Sequence, residues 1–307
     1  MKPRALGMTD LDFSGATPAA RPSPEVLNAY AQCARVTRRS GSSFASAFWM
    51  LPRARRRALH AIYAFCRLAD DIADDPAIGG DRARLLARWR AELDAACRGR
   101  SEHPVGIALG DAIGRFQLPQ REFADLLRGV ESDLNEEAMH TWEDLERYCY
   151  RVASTVGLLV VRVLGCRSPR ALEYARALGI AVQLTNILRD VGEDAAGGRV
   201  YLASEDLTRF GVDVEDLRAR RMTNEVRQLL EFYAERARDY YEQATRALPD
   251  EDRRALRPAE AMGRIYHALL VELQRREFPC LREAVRLSRG RRLIIATSTW
   301  LGFGGRA

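Results

Sequence analysis

Two short stretches concentrate the side chains that could do chemistry. In AVQLTNILRDVGED, residues 181–194, Gln183, Asn186, Asp190 and Asp194 recur at spacings of three, four and four, so they project from one face of a helix. In YAFCRLADDIADD, residues 63–75, Tyr63, Arg67, Asp70 and Asp74 recur at four, three and four, with Asp71 and Asp75 on the flank. The other faces are apolar, carrying Val182, Leu184, Ile187, Leu188 and Val191 in one stretch and Ile62, Phe65, Leu68 and Ile72 in the other. Like charges at i,i+4 cost a helix roughly 0.2–0.5 kcal/mol when exposed and more when buried. A cation would remove the cost.

Each stripe holds a carboxylate pair at DxxxD spacing, Asp70/Asp74 and Asp190/Asp194, with Cα atoms about 6 Å apart along the helix. Two such faces opposed across a bundle would form a cage of hard oxygen ligands. No His or Cys shares these faces, and oxygen-only ligation suits Mg2+ rather than zinc or copper. Magnesium fills its remaining positions with water and phosphate oxygens, so an acidic cage inside an apolar bundle implies a phosphorylated substrate with a greasy body. A prenyl diphosphate meets that description.

The elements that must position these stripes are helices. From Glu25 onward the apolar residues recur with helical period, giving expected helices at residues 25–37, 41–48, 53–73, 81–97, 104–116, 120–131, 142–164, 169–192, 213–220, 224–247, 249–256, 258–287 and 293–300. Strand alternation is nearly absent, and Pro104, Pro169 and Pro258 stand where helices are expected to start. An all-α, single-domain bundle around a central cavity follows. Its expected limits are 25–303, between a mobile N-terminal arm, 1–24, and a short C-terminal tail, 304–307.

Of the 307 residues, 47% are hydrophobic, enough for a large core, yet no apolar run reaches membrane length. The N-terminus lacks the apolar segment of a signal peptide, so a cytoplasmic protein is expected. Six scattered cysteines read as free thiols. The net charge of +6 rests on arginine, and without a basic stripe interleaved with aromatics a nucleic-acid partner is not expected. The C-terminal residues 286–292 followed by LIIATSTWLGF join a basic run to an apolar one, which suits either peripheral contact with an anionic membrane or a last helix packed on the bundle.

The segments SGSSFASAFWMLPRARRRALHAIYAFCRLADDIADD, YCYRVASTVGLL, QLTNILRDVGEDAAGGRVYL and IYHALLVEL together resemble the squalene/phytoene synthase family of head-to-head prenyl transferases, from about Arg39 to Trp300. Within it, SGSSF and RRLIIATSTW resemble most the bacterial presqualene diphosphate synthases of squalene and hopanoid synthesis. The resemblance implies an isoprenoid-synthase-type helical fold and Mg2+-dependent condensation of two farnesyl diphosphates without NADPH. It also implies a functional link to other enzymes of that pathway. It further implies metal ligation by Asp70, Asp74, Asn186, Asp190 and Asp194, with Tyr63 near the catalytic base. Ser40, Arg67, Gln183, Asn186, Arg189, Arg199, Tyr201 and Tyr266 fall on substrate-side positions.

Two departures stand out. Ala138 and Met139 occupy the place of a family Arg-Tyr pair, and Ala284 that of a family arginine, with Arg282 and Arg286 on either side. Phytoene synthesis from geranylgeranyl diphosphate and squalene or dehydrosqualene synthesis are the enzymatic alternatives. A non-catalytic assembly factor on the same fold would be expected to lose acids from the cage, and all four are present.

Overall fold

The computed structural model describes residues 21–39, 51–75 and 77–301. The expected helix at 41–48, the candidate Ser40, the 1–20 part of the arm and the C-terminal tail lie outside the described residues. Among those described, the secondary structure is helical without strands: α1 Pro24–Arg39, α2 Arg53–Asp74, α3 Arg82–Cys97, α4 Pro104–Phe116, α5 Gln120–Leu134, α6 Trp142–Cys149, a π turn Tyr150–Ser154, α7 Thr155–Val163, α8 Arg170–Ala196, α9 Ser204–Phe210, α10 Val214–Arg218, α11 Asn224–Ala247, α12 Arg253–Arg275, a 3-10 turn Pro279–Leu281 and α13 Arg289–Leu301.

The site-bearing helices are held by separate groups of neighbours. The α8 helix is buried along most of its length and packs chiefly on α11, with α7 and α12 beside it, whereas α2 packs on α1, α4 and α5. Phe65 anchors α2 by stacking on Trp89, ring centroids 5.2 Å apart, and by an edge contact with Phe123 at 5.5 Å. Several starts follow local side-chain chemistry. Asp81 accepts from Arg84 N to cap α3, and Thr141 and Asp144 form a reciprocal capping box on α6.

The structure departs from the expected elements in four places. The 142–164 segment is interrupted by the π turn, which widens the helix after Tyr148. Room for it comes from Gly179 of α8, where a Cβ would stand 2.5 Å from Ser154 Cα and 2.6 Å from its N. The helices expected at 249–256 and 258–287 are one helix, α12, which runs through Pro258 in its second turn, where the missing N–H removes a single bond. It ends at Arg275 because Glu277 and Phe278 adopt left-handed φ of 56° and 55°, turning the Phe278 ring into the core. The α9 helix falls in a stretch for which no helix is expected.

Gly179→Ala is therefore expected to destabilise the protein by about 2 kcal/mol, since the clash is with backbone and outweighs alanine's better helix propensity. Gly114→Ala in α4, where a Cβ would meet nothing within 4 Å, is the control and should be neutral or slightly stabilising. Thermal midpoints of the pair read the difference.

All six cysteines are free. Among the described residues no helix is long and apolar enough to cross a membrane.

Candidate active site

Both acid pairs occupy the last turns of their helices, α2 ending at Asp74 and α8 at Ala196, and neither helix has a basic residue in its last turn. The macrodipole makes that the unfavourable end for carboxylates, so the compensation comes from other elements. Arg82, from the start of α3, donates to the Ala73 carbonyl and, at 3.1 Å, to the Asp75 carbonyl, satisfying the open end of α2. Arg67 pairs with Asp71 at 2.6 Å on the flank of the first stripe. Asp74 is met by Arg199, which lies beyond the end of α8, with Nη1 donating to Oδ1 at 2.6 Å. A residue just past the second acid pair thus closes on the first.

Arg199 is the hinge of the electrostatics. Burial works against its charge, but the hydrogen bond to Asp74 and the fields of Tyr201, Asp74 and Asp133 outweigh it and hold the guanidinium protonated. Asp133, near the end of α5, accepts from Tyr201 Oη at 3.0 Å and from Tyr148 Oη at 3.2 Å. The two tyrosine rings stack with centroids 5.1 Å apart. Burial raises the Asp133 carboxyl to about 6 against the opposing pull of those hydroxyls and Arg199.

On α8, Arg189 donates from one guanidinium edge to both oxygens of Asp190, Nε to Oδ1 at 2.7 Å and Nη2 to Oδ2. Burial disfavours the Arg189 charge, but Asp190 and the neighbouring Tyr266 hydroxyl of α12 reverse the effect. Asn186 Nδ2 donates to Gln183 Oε1 at 3.3 Å, while Asn186 Oδ1 is buried with no hydrogen-bond partner among the described residues. A pocket beneath Asp194 and Arg199 is lined by Ile187, Val191 and Leu217, so an apolar wall adjoins the charged rim.

Burial, then the field of Asp74, raises Asp70 to about 7, with Arg67 opposing. Burial, then Asp190, raises Asp194 to about 7, with Arg199 and Arg189 opposing. Asp70 is accessible to water yet crowded by protein, as on the wall of a cleft rather than on an open helix face.

These features fit a divalent cation. The Asn186 oxygen, Asp70 and Asp194 are oxygen donors for which no direct hydrogen bond or ion pair is seen among the described residues. No three His, Cys, Asp or Glu side chains among the described residues converge to hold an ion by themselves. Each acid pair can offer only part of a coordination shell, which is how magnesium is bound when substrate phosphates and waters complete it.

A pH dependence follows. Native Asp70 and Asp194 keep protons that the unfolded chain has lost above about 3.8, so ionising them opposes folding. The stability these two carboxyls lend the metal-free protein is expected to be complete below about pH 3.8 and to be lost as pH rises through about 7. Each shift would correspond to about 4 kcal/mol unscreened; solvent access at Asp70 reduces its share to the order of 1 kcal/mol. Thermal melts across that range, with and without Mg2+ and inorganic diphosphate, check it, the added ligands being expected to flatten the slope.

Residues 37–291 match the squalene/phytoene synthase family. The chain belongs to the squalene/phytoene synthase family. It is similar to the 15-cis-phytoene synthase of Synechococcus elongatus, 35% identical over 289 residues that cover 89% of this chain and 94% of that one. Among solved structures, it is similar to a dehydrosqualene synthase in complex with ligand, with TM-score 0.78, 30% identity and coverage of 91% and 98%. It is also similar to the squalene synthase HpnC from Alicyclobacillus acidocaldarius, with TM-score 0.75, 31% identity and coverage of 84% and 97%. Squalene/phytoene synthases are prenyltransferases that use prenyl diphosphates and generally depend on Mg2+.

In this member of the family, the residues singled out from sequence fall into two groups. Arg67, Asp70, Asp74, Arg199 and Tyr201 gather around the end of α2; Gln183, Asn186, Arg189, Asp190, Asp194 and Tyr266 line α8 and its α12 neighbour. Arg199 acts on Asp74 by contact and on Asp194 through its field. Tyr63 stands half-buried on the same α2 face, two turns before Asp70. Asp133 is not among the residues the sequence singles out, and Tyr148 figures there only as part of the YCYRVASTVGLL segment. The substituted Ala138–Met139 segment is a structural joint, where the Met139 carbonyl accepts from Ser204 N at 2.9 Å. Arg282 and Arg286 are exposed, and Arg282 donates to the Arg220 carbonyl at 3.3 Å.

Proposed function

We propose that the protein condenses two farnesyl diphosphates head to head into presqualene diphosphate, releasing one diphosphate, with Mg2+ and without NADPH. The observation that carries the reading is the pairing of two acidic helix ends across Arg199, with Asp70 and Asp194 raised to about 7 and Asn186 Oδ1 unpartnered. That is the electrostatic signature of walls built around cations that accompany a polyanionic substrate. Resemblance in the SGSSF and RRLIIATSTW segments supports the C15 substrate, as does the similarity to squalene and dehydrosqualene synthases.

Asp70, Asp74, Asn186, Asp190 and Asp194 would hold the metal. Bound there, Mg2+ supplies Lewis-acid stabilisation of the charge that grows on the diphosphate as the allylic C–O bond breaks. Arg67, Arg189 and Arg199 add fixed positive charge beside the same oxygens, and Gln183 and Tyr266 orient them by hydrogen bonds. The apolar faces of α2 and α8 exclude water, which would otherwise capture the allylic cation as an alcohol. The C2–C3 alkene of the second chain attacks that cation. Loss of one proton closes the cyclopropane, and the second diphosphate stays attached. The released diphosphate accepts the proton, with Tyr63 positioned to hydrogen-bond to it.

The 35% identity to 15-cis-phytoene synthase favours a second reading, the same chemistry on two geranylgeranyl diphosphates. Incubating purified protein with each substrate and Mg2+, with and without NADPH, and identifying the extracted products separates them. A cyclopropyl C30 diphosphate formed without NADPH is the expected result. Turnover of the C20 substrate alone would replace the first reading by the second, and magnesium-dependent diphosphate release from neither would overturn both.

A further inference from the structure

The α13 helix has an outward face that no other described residue covers. The α13 helix lies antiparallel along α12, fixed at one end by Arg291 Nη1 to Glu272 Oε2 at 3.1 Å and at the other by Arg264 Nη1 to Thr299 Oγ1 at 3.2 Å. Thr299 is buried in that seam, whereas Leu293, Ile294 and Leu301 are 65%, 68% and 70% exposed. At 100° per residue these three fall within an arc of roughly 100°, so they form one apolar stripe directed away from the protein. Arg289 borders the stripe on one side and Arg291 on the other. Residues 284–301 contain four arginines and no acid, and neither Arg286 nor Arg289 has a carboxylate partner among the described residues. A water-facing helix has no need of three large exposed aliphatics, and a protein-facing one would not leave Arg289 unpaired on its border.

We propose that this face of α13 docks on an anionic lipid surface, with Leu293, Ile294 and Leu301 entering the headgroup–acyl boundary and the arginines meeting lipid phosphates. Charge decides the occupant, because an apolar stripe bordered by Arg289, which has no carboxylate partner among the described residues, in a segment with four arginines and no acid, matches an acidic bilayer. At 13 residues α13 is too short to span and lies along the surface. Tyr266 stands on α12 between the two residues that fix α13, so lipid contact places the bilayer one helix away from the proposed diphosphate site. A long-chain substrate and product of the class proposed above would then exchange with the membrane rather than with water.

Vesicle co-sedimentation of the full chain tests this independently of the choice between C15 and C20 substrates. Binding to mixed phosphatidylglycerol–phosphatidylcholine vesicles and not to phosphatidylcholine alone, weakened by salt, is expected. The double variant Leu293→Asp/Ile294→Asp should lose that binding while keeping its helix content and its turnover of detergent-dispersed substrate. Arg289→Gln should lower the partition coefficient about five-fold. No binding at any composition overturns the proposal, as does equal binding of the double variant. A concentration-dependent dimer that the double variant abolishes, without vesicle binding, would assign the face to a second copy of the chain instead.

Discussion

Asp190→Ala is expected to abolish turnover, with kcat falling about 10³-fold or more, and Asp70→Ala to do the same while helix content stays unchanged. The two differ in metal-free stability. Asp70 carries mainly unfavourable fields, so its removal should stabilise the metal-free protein by the order of 1 kcal/mol near pH 7.5, after allowing for solvent screening. Asp190 accepts from Arg189 through both carboxylate oxygens, so relief of its repulsion on Asp194 is offset by an unpaired, half-buried guanidinium. Its metal-free stability should stay near that of the parent. Steady-state kinetics and thermal melts on the same preparations read both effects, and full activity in either variant would contradict the site.

The second large effect is expected at Asp133. Asp133→Ala removes the acceptor shared by Tyr148 and Tyr201 and one of the anions that hold Arg199 in place. Leaving buried hydroxyls without an acceptor costs about 1–3 kcal/mol each, so a loss of roughly 2–4 kcal/mol in stability is expected. Turnover should fall about 100-fold as Arg199 and Tyr201 lose their orientation. Asp133→Asn keeps an acceptor oxygen and should recover most of the stability but less of the activity, because the negative charge beside Arg199 is gone. Equal recovery of both would make Asp133 a packing residue alone.

The acidic stripes are legible in the sequence because the helical period repeats within a few residues and the side chains are chemically unlike their neighbours. Asp133 is not legible in that way. Its partners lie 15 and 68 positions away, and a lone acid in ESDLNEE reads as one of several surface charges. The closure of Arg199 on Asp74 spans 125 positions and depends on how the chain turns after α8. Local pattern failed also at the π turn, since YCYRVAST has continuous helical character and only the glycine at 179, on another helix, makes room for the wider backbone. Pro258 misled for the opposite reason: a strong local stop signal was overridden by packing of α12 along α8 and α11.

In the proposed function the ends of α2 and α8 act as one site for magnesium and diphosphate. Ligand-induced stabilisation measures it directly, by thermal melts with Mg2+ and inorganic diphosphate, each alone and together, on the parent protein, Asp70→Ala, Asp190→Ala and the double variant. The expected result is stabilisation in the parent that needs both ligands, its loss in either single variant, and no further loss in the double, the non-additivity of residues sharing one site. Additive partial losses, or an unchanged response in the double variant, would contradict a joint site.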